Sequence, residues 1–280
     1  MSALLRRLER LEARAGQAAP ADQSAAPDPV AWAEATVGIQ LDLWQRELLR
    51  DEAPRTLLLC SRQVGKSFAT ALKAAYTTAF TPGTVLVCSP SLRQSSLMFS
   101  TIERTLKAAS PALHFAEANR TTIAVSGGGR VVCLPGDRPD LCRGFASSLV
   151  LLDEACFIKD AVPQVVMPML ATTGGRIIAL SSPAGPVGWF YDQWTGDAEW
   201  KRIRVLATDC PRIPETFIED ARRRLGSIAF RQEILAEFVQ AADALFSADD
   251  LDRLFATNRN ENGAPWLSKP AYPDHQPFLK

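Results

Sequence analysis

Four short, almost uninterrupted apolar runs constrain this chain more than any other feature: Arg55 to Cys60, Thr84 to Cys88, Ser148 to Asp153 and Arg176 to Leu180. A strand with one wet face alternates apolar and polar residues, whereas a strand covered by helices on both faces reads as a continuous apolar run. Helical stretches, Gly65 to about Phe80 and Leu92 to Ala108, separate the first runs, so these strands are expected to be central and parallel. Two further strands, Thr121 to Val125 and Arg130 to Leu134, flank Gly127-Gly128-Gly129. The expected fold is α/β, with a mostly parallel central sheet flanked by helices. At 280 residues and 47% apolar content the chain can bury the core this fold needs.

The ends read differently. Leu4, Leu5, Leu8 and Leu11 recur at helical spacing among Arg and Glu, which predicts a short amphipathic helix. Gly16 to Pro29 offers almost nothing to bury and reads as a flexible linker, so residues 1–29 stand apart from a core spanning 30–200. After Trp200 a strand, Lys201 to Leu206, and two helical stretches, Pro214 to Leu225 and Ser227 to Val239, suggest a small appended subdomain over 201–246. Residues 247–280, with Pro265, Pro270, Pro273 and Pro277, read as a loosely packed tail. The N-terminus lacks the apolar segment of a secretory signal, and no run of about 18 apolar residues occurs, so no membrane span is expected.

Charge and cysteine usage narrow the function. Lys and Arg number 31 and Asp and Glu 31, so any nucleic-acid contact must rest on a local patch. Arg202, Arg204, Arg212, Arg222, Arg223, Arg224 and Arg231 form one such local excess, although clusters of this kind are more often solvated helix faces. The six cysteines contain no C-x-x-C pair and the only histidines are His114 and His275, which argues against zinc. Four of the cysteines lie in or beside apolar runs, as reduced thiols do in a reducing cytosol. No G-x-S-x-G elbow is present, so a serine hydrolase is excluded.

Cys60-Ser-Arg-Gln-Val-Gly-Lys-Ser67 ends an apolar strand and opens a helix, the context of a G-x-x-x-x-G-K-[ST] phosphate loop with Cys60 in place of the first glycine. Backbone N–H groups of Ser61, Arg62, Gln63 and Val64 can cradle phosphates, and Gly65 permits close approach. Lys66 can reach the β and γ oxygens, and Ser67 can ligate Mg²⁺. Alone, the segment could equally be a strand-to-helix turn with a surface lysine. About 85 residues downstream, Leu149-Val-Leu-Leu-Asp-Glu154 ends an apolar strand on two carboxylates. There Asp153 suits the Mg²⁺ shell, and Glu154 can orient and deprotonate a water. The pair, in this order, makes nucleotide hydrolysis the better explanation. Gln45, about twenty residues before the loop, can read the adenine edge, with Gln40 a weaker rival; without the loop it would read as a surface residue of an amphipathic helix whose Trp44 and leucines are core. Arg62 in cis, or Arg143 toward a neighbouring subunit, can stabilise the leaving phosphate, and either could be purely structural. Ser181 and Ser182 end another apolar strand, where hydroxyls can sense the γ-phosphate or, equally, form a polar strand-end turn before Pro183; Ser89 at a third strand end leaves the same two readings.

Taken in order, Leu-Trp-Gln45, Ser-Arg-Gln-Val-Gly-Lys-Ser67, Arg143-Gly144, Leu-Leu-Asp-Glu154-Ala and Ser-Ser-Pro183 resemble the ATPase domain of the large terminase subunit of tailed phages. Phe230-Arg-Gln-Glu-Ile-Leu-Ala-Glu-Phe238 resembles the segment closing that region, so the likeness spans roughly residues 30–246. The resemblance implies a P-loop NTPase with an appended lid, using ATP and Mg²⁺ to drive double-stranded DNA into a procapsid in the host cytoplasm. Its partners would be the portal protein and the small terminase subunit, and its form a ring of copies. It implies Gln45 as the adenine contact, Arg62, Gly65, Lys66 and Ser67 as the phosphate loop, and Asp153 as the magnesium residue. It further implies Glu154 as the catalytic carboxylate, Ser181 and Ser182 as the coupling motif, and Arg143 as the finger. Such proteins usually continue into an RNase H-like nuclease. Beyond Gln240 no further strand series is read and Asp249-Asp250 is the one adjacent acidic pair, so this chain by itself is not expected to cut DNA. A helicase-like ATPase would need a second motor domain, and a non-hydrolysing ATP-binding assembly module would use the same loop without turnover.

Overall fold

In the computed structural model, residues 26–109, 113–142, 144–171 and 173–240 are described. The expected N-terminal helix, most of the expected linker, Arg143 and residues 241–280 lie outside them. The strands are β1 (Arg55–Cys60), β2 (Thr84–Ser89), β3 (Phe115–Ala118), β4 (Thr122–Val125), β5 (Arg130–Pro135), β6 (Ser147–Asp153), β7 (Arg176–Ser181) and β8 (Lys201–Val205). They form one sheet in the order β3-β4-β5-β2-β6-β7-β1-β8. From β5 across to β8 every neighbouring pair is parallel, while β3, β4 and the outer edge of β5 are antiparallel.

The period-two geometry of a strand explains why the central runs are apolar throughout. On β1, Leu58 and Cys60 point into one core and Leu57 and Leu59 into the other. On β6, Leu149 and Leu151 face the first core and Val150 and Leu152 the second. Helices α3 (Lys66–Phe80) and α4 (Leu92–Ala108) cover the first face. Helix α5 (Ala161–Ala171) and Phe190 of α6 (Trp189–Thr195) cover the second. Helices α1 (Pro29–Val37) and α2 (Leu43–Arg50) pack through Ala33 and Leu49 onto Leu72 of α3. Two short helices, α7 (Glu215–Arg224) and α8 (Ser227–Glu233), follow β8.

Four sequence expectations need correction. Lys201–Val205 does not open a separate subdomain: it pairs in parallel with β1 along five residues and completes the main sheet. Its pattern, with only Val205 buried, is that of an edge strand, which carries little of the apolar signal marking central strands. The helix expected over Ser227 to Val239 stops at Glu233, and Ala236 takes a φ of 47° as the chain turns back to bury Ala236 in the second core and pack the half-buried Phe238 against Phe190. The linker ends earlier than Pro29. Asp28 caps α1 by accepting from the Ala31 amide, pairs with Arg50, and Pro29 occupies the first helical turn. Finally β3, α5 and α6 were not anticipated; α5 is disguised by Pro163 and Pro168.

Candidate nucleotide-binding site

In an open parallel sheet a ligand binds beyond the carboxyl ends of the strands where the chain order switches sides. Here β1 is followed in sequence by β2, three places away, with β7 and β6 between them. The carboxyl ends of β1, β7 and β6 therefore line up, with Leu59 opposite Ser181 and Asp153 opposite Leu180. This register gathers the three motifs into one place.

Beyond β1, Gln63 (φ 62°) and Gly65 (φ 95°) adopt left-handed backbone as the loop turns into α3, which starts at Lys66. Lys66 Nζ lies 2.8 Å from Glu154 Oε1 and donates to Ser182 Oγ at 3.3 Å. One residue on, Ser67 Oγ donates to Asp153 Oδ1 at 3.3 Å. Burial and the neighbouring Glu154 push the Asp153 carboxyl up to about 6, against the opposing pull of Lys66 and Ser67. Glu154 itself has φ 54°, a conformation that non-glycine residues hold only where the surroundings enforce it and that concentrates at functional sites. Ser181, fully buried, accepts from the Cys156 amide at 3.2 Å and donates to the Ser182 carbonyl at 2.8 Å. It thereby holds the turn after Glu154 against the turn that carries Ser182.

The Ser67 hydroxyl and the Asp153 carboxylate are hard oxygen donors side by side, the donor chemistry that Mg²⁺ takes together with substrate phosphates. Among the described residues, no group of three or more His, Cys, Asp or Glu side chains could hold a metal by itself.

Gln45 is buried on α2, where its Oε1 accepts from the Asp42 amide at 3.0 Å and closes the helix start. Its Nε2 lies 3.0 Å from the point where a Cβ on Gly65 would stand, so the amide rests on the loop. Gln40 is exposed. Arg62 pairs with Glu233 at 2.6 Å, while its amide donates to the Glu233 carbonyl. The Ser61 amide donates to the Val205 carbonyl, and its hydroxyl donates to the Ile234 carbonyl and accepts from the Ala207 amide. Ser89 is buried at the end of β2, outside these contacts. Arg143, the finger candidate, lies outside the described residues.

The basic cluster does not behave as one surface. Arg202 donates to the Gln193, Gly196 and Ala198 carbonyls at the end of α6, and Arg204 to the Leu235 carbonyl. Arg212 reaches the phosphate loop: Nη2 donates to the Val64 carbonyl at 2.9 Å and to Asp42 Oδ2 at 2.8 Å. Arg224 and Arg231 pair with Asp220 and Glu237, and Arg222 lies over the Phe230 ring. Nothing local in the sequence distinguishes Arg212 from its neighbours, because its partners are 148 and 170 residues away.

A parallel block running from β5 to β8, a glycine-lysine-serine loop opening a helix, and an Asp-Glu pair two strands away define the α/β P-loop class of folds. Within that class the chain belongs to the family described as "Terminase large subunit, T4likevirus-type, N-terminal", whose model matches residues 57–253. It is 26% identical over 270 residues to the large terminase subunit of Thermus phage G20c, a match covering 82% of this chain and 55% of that protein. The chain thus spans little more than half the length of that relative. The ATPase domain of the Thermus phage P74-26 large terminase superposes with a TM-score of 0.66 at 22% identity, covering 76% of this chain and 100% of that domain. The large terminase of a thermophilic bacteriophage, in complex with ADP, superposes with a TM-score of 0.58 at 17% identity, covering 71% of this chain and 54% of that one. No helix among the described residues is long and apolar enough to cross a membrane.

Proposed function

We propose that this chain hydrolyses ATP as the motor portion of a large terminase, driving double-stranded DNA into a procapsid. The observation that carries the reading is the convergence of Ser182 and Glu154 within 3.3 Å of the Lys66 ammonium group, beside the Ser67 and Asp153 pair. Family membership and the ADP-bound relative support the choice of nucleotide.

In this reading the loop amides and Lys66 hold the β- and γ-phosphates, and Gln45 reads the adenine edge. Ser67 and Asp153 would hold Mg²⁺, which neutralises charge on the phosphate oxygens when bound. The Lys66–Glu154 contact is a resting arrangement. When phosphates draw Lys66 away, the Glu154 carboxylate is left to orient a water and accept its proton as the water oxygen bonds to the γ-phosphorus. The bond to the bridging oxygen breaks and ADP departs with the charge held by Lys66. Ser182, on Lys66, and Ser181, which ties Ser182 to the turn after Glu154, carry the difference between occupied and empty loop into β7. Arg62 or a neighbour's Arg143 supplies the further positive charge. The wider assignments are a ring of copies, the portal and small terminase subunit as partners, and the host cytoplasm as the place of action; they follow the family reading.

Phosphate release by the chain and by Glu154→Gln, each with and without linear duplex DNA and empty capsids, tests this. Turnover that rises with DNA or capsids and falls roughly 100-fold or more in Glu154→Gln is expected. ATP binding without turnover in every condition would instead favour a non-hydrolysing assembly module.

A further inference from the structure

We propose that Arg212 is a positioning residue for base recognition: it locks the Gln45 helix onto the phosphate loop from the segment that leads into α7. The inference rests on the ATP reading above and adds a residue to it. Pro211 and Pro214 flank Arg212, and the adjacent Ile213 packs against the first core, so the backbone is stiff where the side chain leaves it. Its guanidinium makes two kinds of contact at once. Nη2 donates at 2.8 Å to Asp42 Oδ2, with Nε 3.3 Å from the same oxygen, and Nη2 also donates at 2.9 Å to the Val64 carbonyl. Asp42 begins α2, and its amide is bonded to Gln45 Oε1. Val64 immediately precedes Gly65, whose missing Cβ leaves the space that Gln45 Nε2 and Arg212 Nη2 border at 3.0 and 3.3 Å. One planar fork therefore fixes the spacing between the amide that reads the base and the loop that takes the phosphates. The hydrogen bond to Asp42 holds the Arg212 guanidinium firmly charged, and a planar five-donor group is the side chain suited to bridging a carboxylate and a carbonyl together.

Lys66, Ser67, Asp153, Glu154 and Ser182 are tied to one another without Arg212. Its loss should thus fall mainly on binding and on base choice. The test is a titration of the full chain with fluorescent ATP and GTP analogues, alongside KM and kcat for both nucleotides. The variants are Arg212→Ala, Arg212→Lys, Gln45→Ala and the double Gln45→Ala/Arg212→Ala, with Arg223→Ala as a control charge loss on α7. We expect Arg212→Ala to weaken ATP binding about tenfold, to bring the ATP-to-GTP ratio toward one, and to raise KM more than it lowers kcat. Arg212→Lys should recover only part, because a lysine lacks the second donor, Nε, that also faces Asp42. The double variant should be no worse than Gln45→Ala alone, since Arg212 acts through Gln45. Unchanged ATP-to-GTP discrimination in Arg212→Ala, or additive losses in the double variant, overturns the inference alone. A wild-type chain that binds neither nucleotide overturns it together with the ATP reading.

Discussion

Gly65 shows how much one residue carries. Its φ of 95° is a conformation that side chains strain to adopt, and an added Cβ would sit 3.0 Å from Gln45 Nε2 and 3.3 Å from Arg212 Nη2. Gly65→Ala should lose on the order of 1–3 kcal/mol of stability and weaken nucleotide binding together, read by urea unfolding and nucleotide titration. Ser61 is a second single-residue tie. Its buried hydroxyl serves both the Ile234 carbonyl and the Ala207 amide, so Ser61→Ala should cost about 1–3 kcal/mol, and Ser61→Cys should not restore it, because a thiol is a weak donor and acceptor. Lys66 with Ser67, and Asp153 with Glu154, stood out in the sequence because each pair is consecutive at the end of an apolar strand or the start of the helix that follows one. The partner Arg62 takes was not: Glu233 is remote in sequence and meets Arg62 only through the fold.

At the level of elements, α2 is held at both ends. Arg212 secures its start, and at its end Lys73 of α3, almost wholly buried, donates to the Leu49 and Asp51 carbonyls at 2.7 and 2.6 Å. A cation at a helix carboxyl terminus is favourable, and a buried one is strongly desolvated. Burial, aided by Arg176, brings Lys73 down to about 8, with Glu52 and Asp51 opposing the shift; Lys201 faces the same cluster through Asp51. The sign follows directly. Between about pH 8 and the ordinary lysine value the folded chain binds fewer protons at this site than the unfolded chain, so the stability this group contributes rises with pH across that window. Wild type minus Lys73→Met, measured by urea unfolding at pH 8 and pH 10, should widen by roughly 1 kcal/mol per pH unit. At pH 8 and below, Lys73→Met still strands two carbonyls. The four central strands were readable because both faces are apolar; the place of β8 in the main sheet and the existence of α5 were not, since an edge strand and a proline-bearing helix lack that signal.

Across the described residues, the segment after β8 builds a small cluster of its own, Ala207, Ala221, Phe230 and Ile234, and is also tied into the two main cores. Ile213 packs on the first core and Ala236 and Phe238 on the second, where Phe238 lies 5.0 Å from the Tyr191 ring and 6.4 Å from that of Phe190. Thermal unfolding should then be one transition, coincident by far-ultraviolet circular dichroism and tryptophan fluorescence. Leu151→Ala on β6, fully buried in the first core, should lower that single midpoint through a loss of about 2–5 kcal/mol. Two separated transitions would show that the small cluster of α7 and α8 melts on its own despite the ties through Ile213, Ala236 and Phe238.

By itself the sequence determined the α/β class, the central strands and the position of the loop and the acidic pair at strand ends. Those properties are encoded within stretches of a few to about twenty residues, where periodicity and local backbone demands leave a pattern. Only the tertiary structure decided which strand lies between the loop and the acidic pair, that Lys201–Val205 joins the main sheet beside β1, and that Arg212 bonds the Val64 carbonyl of the loop. These are pairings between residues far apart in the chain. Their free energy comes from packing and from single hydrogen-bonded forks, and neither leaves a repeat in the chain from which it could be read.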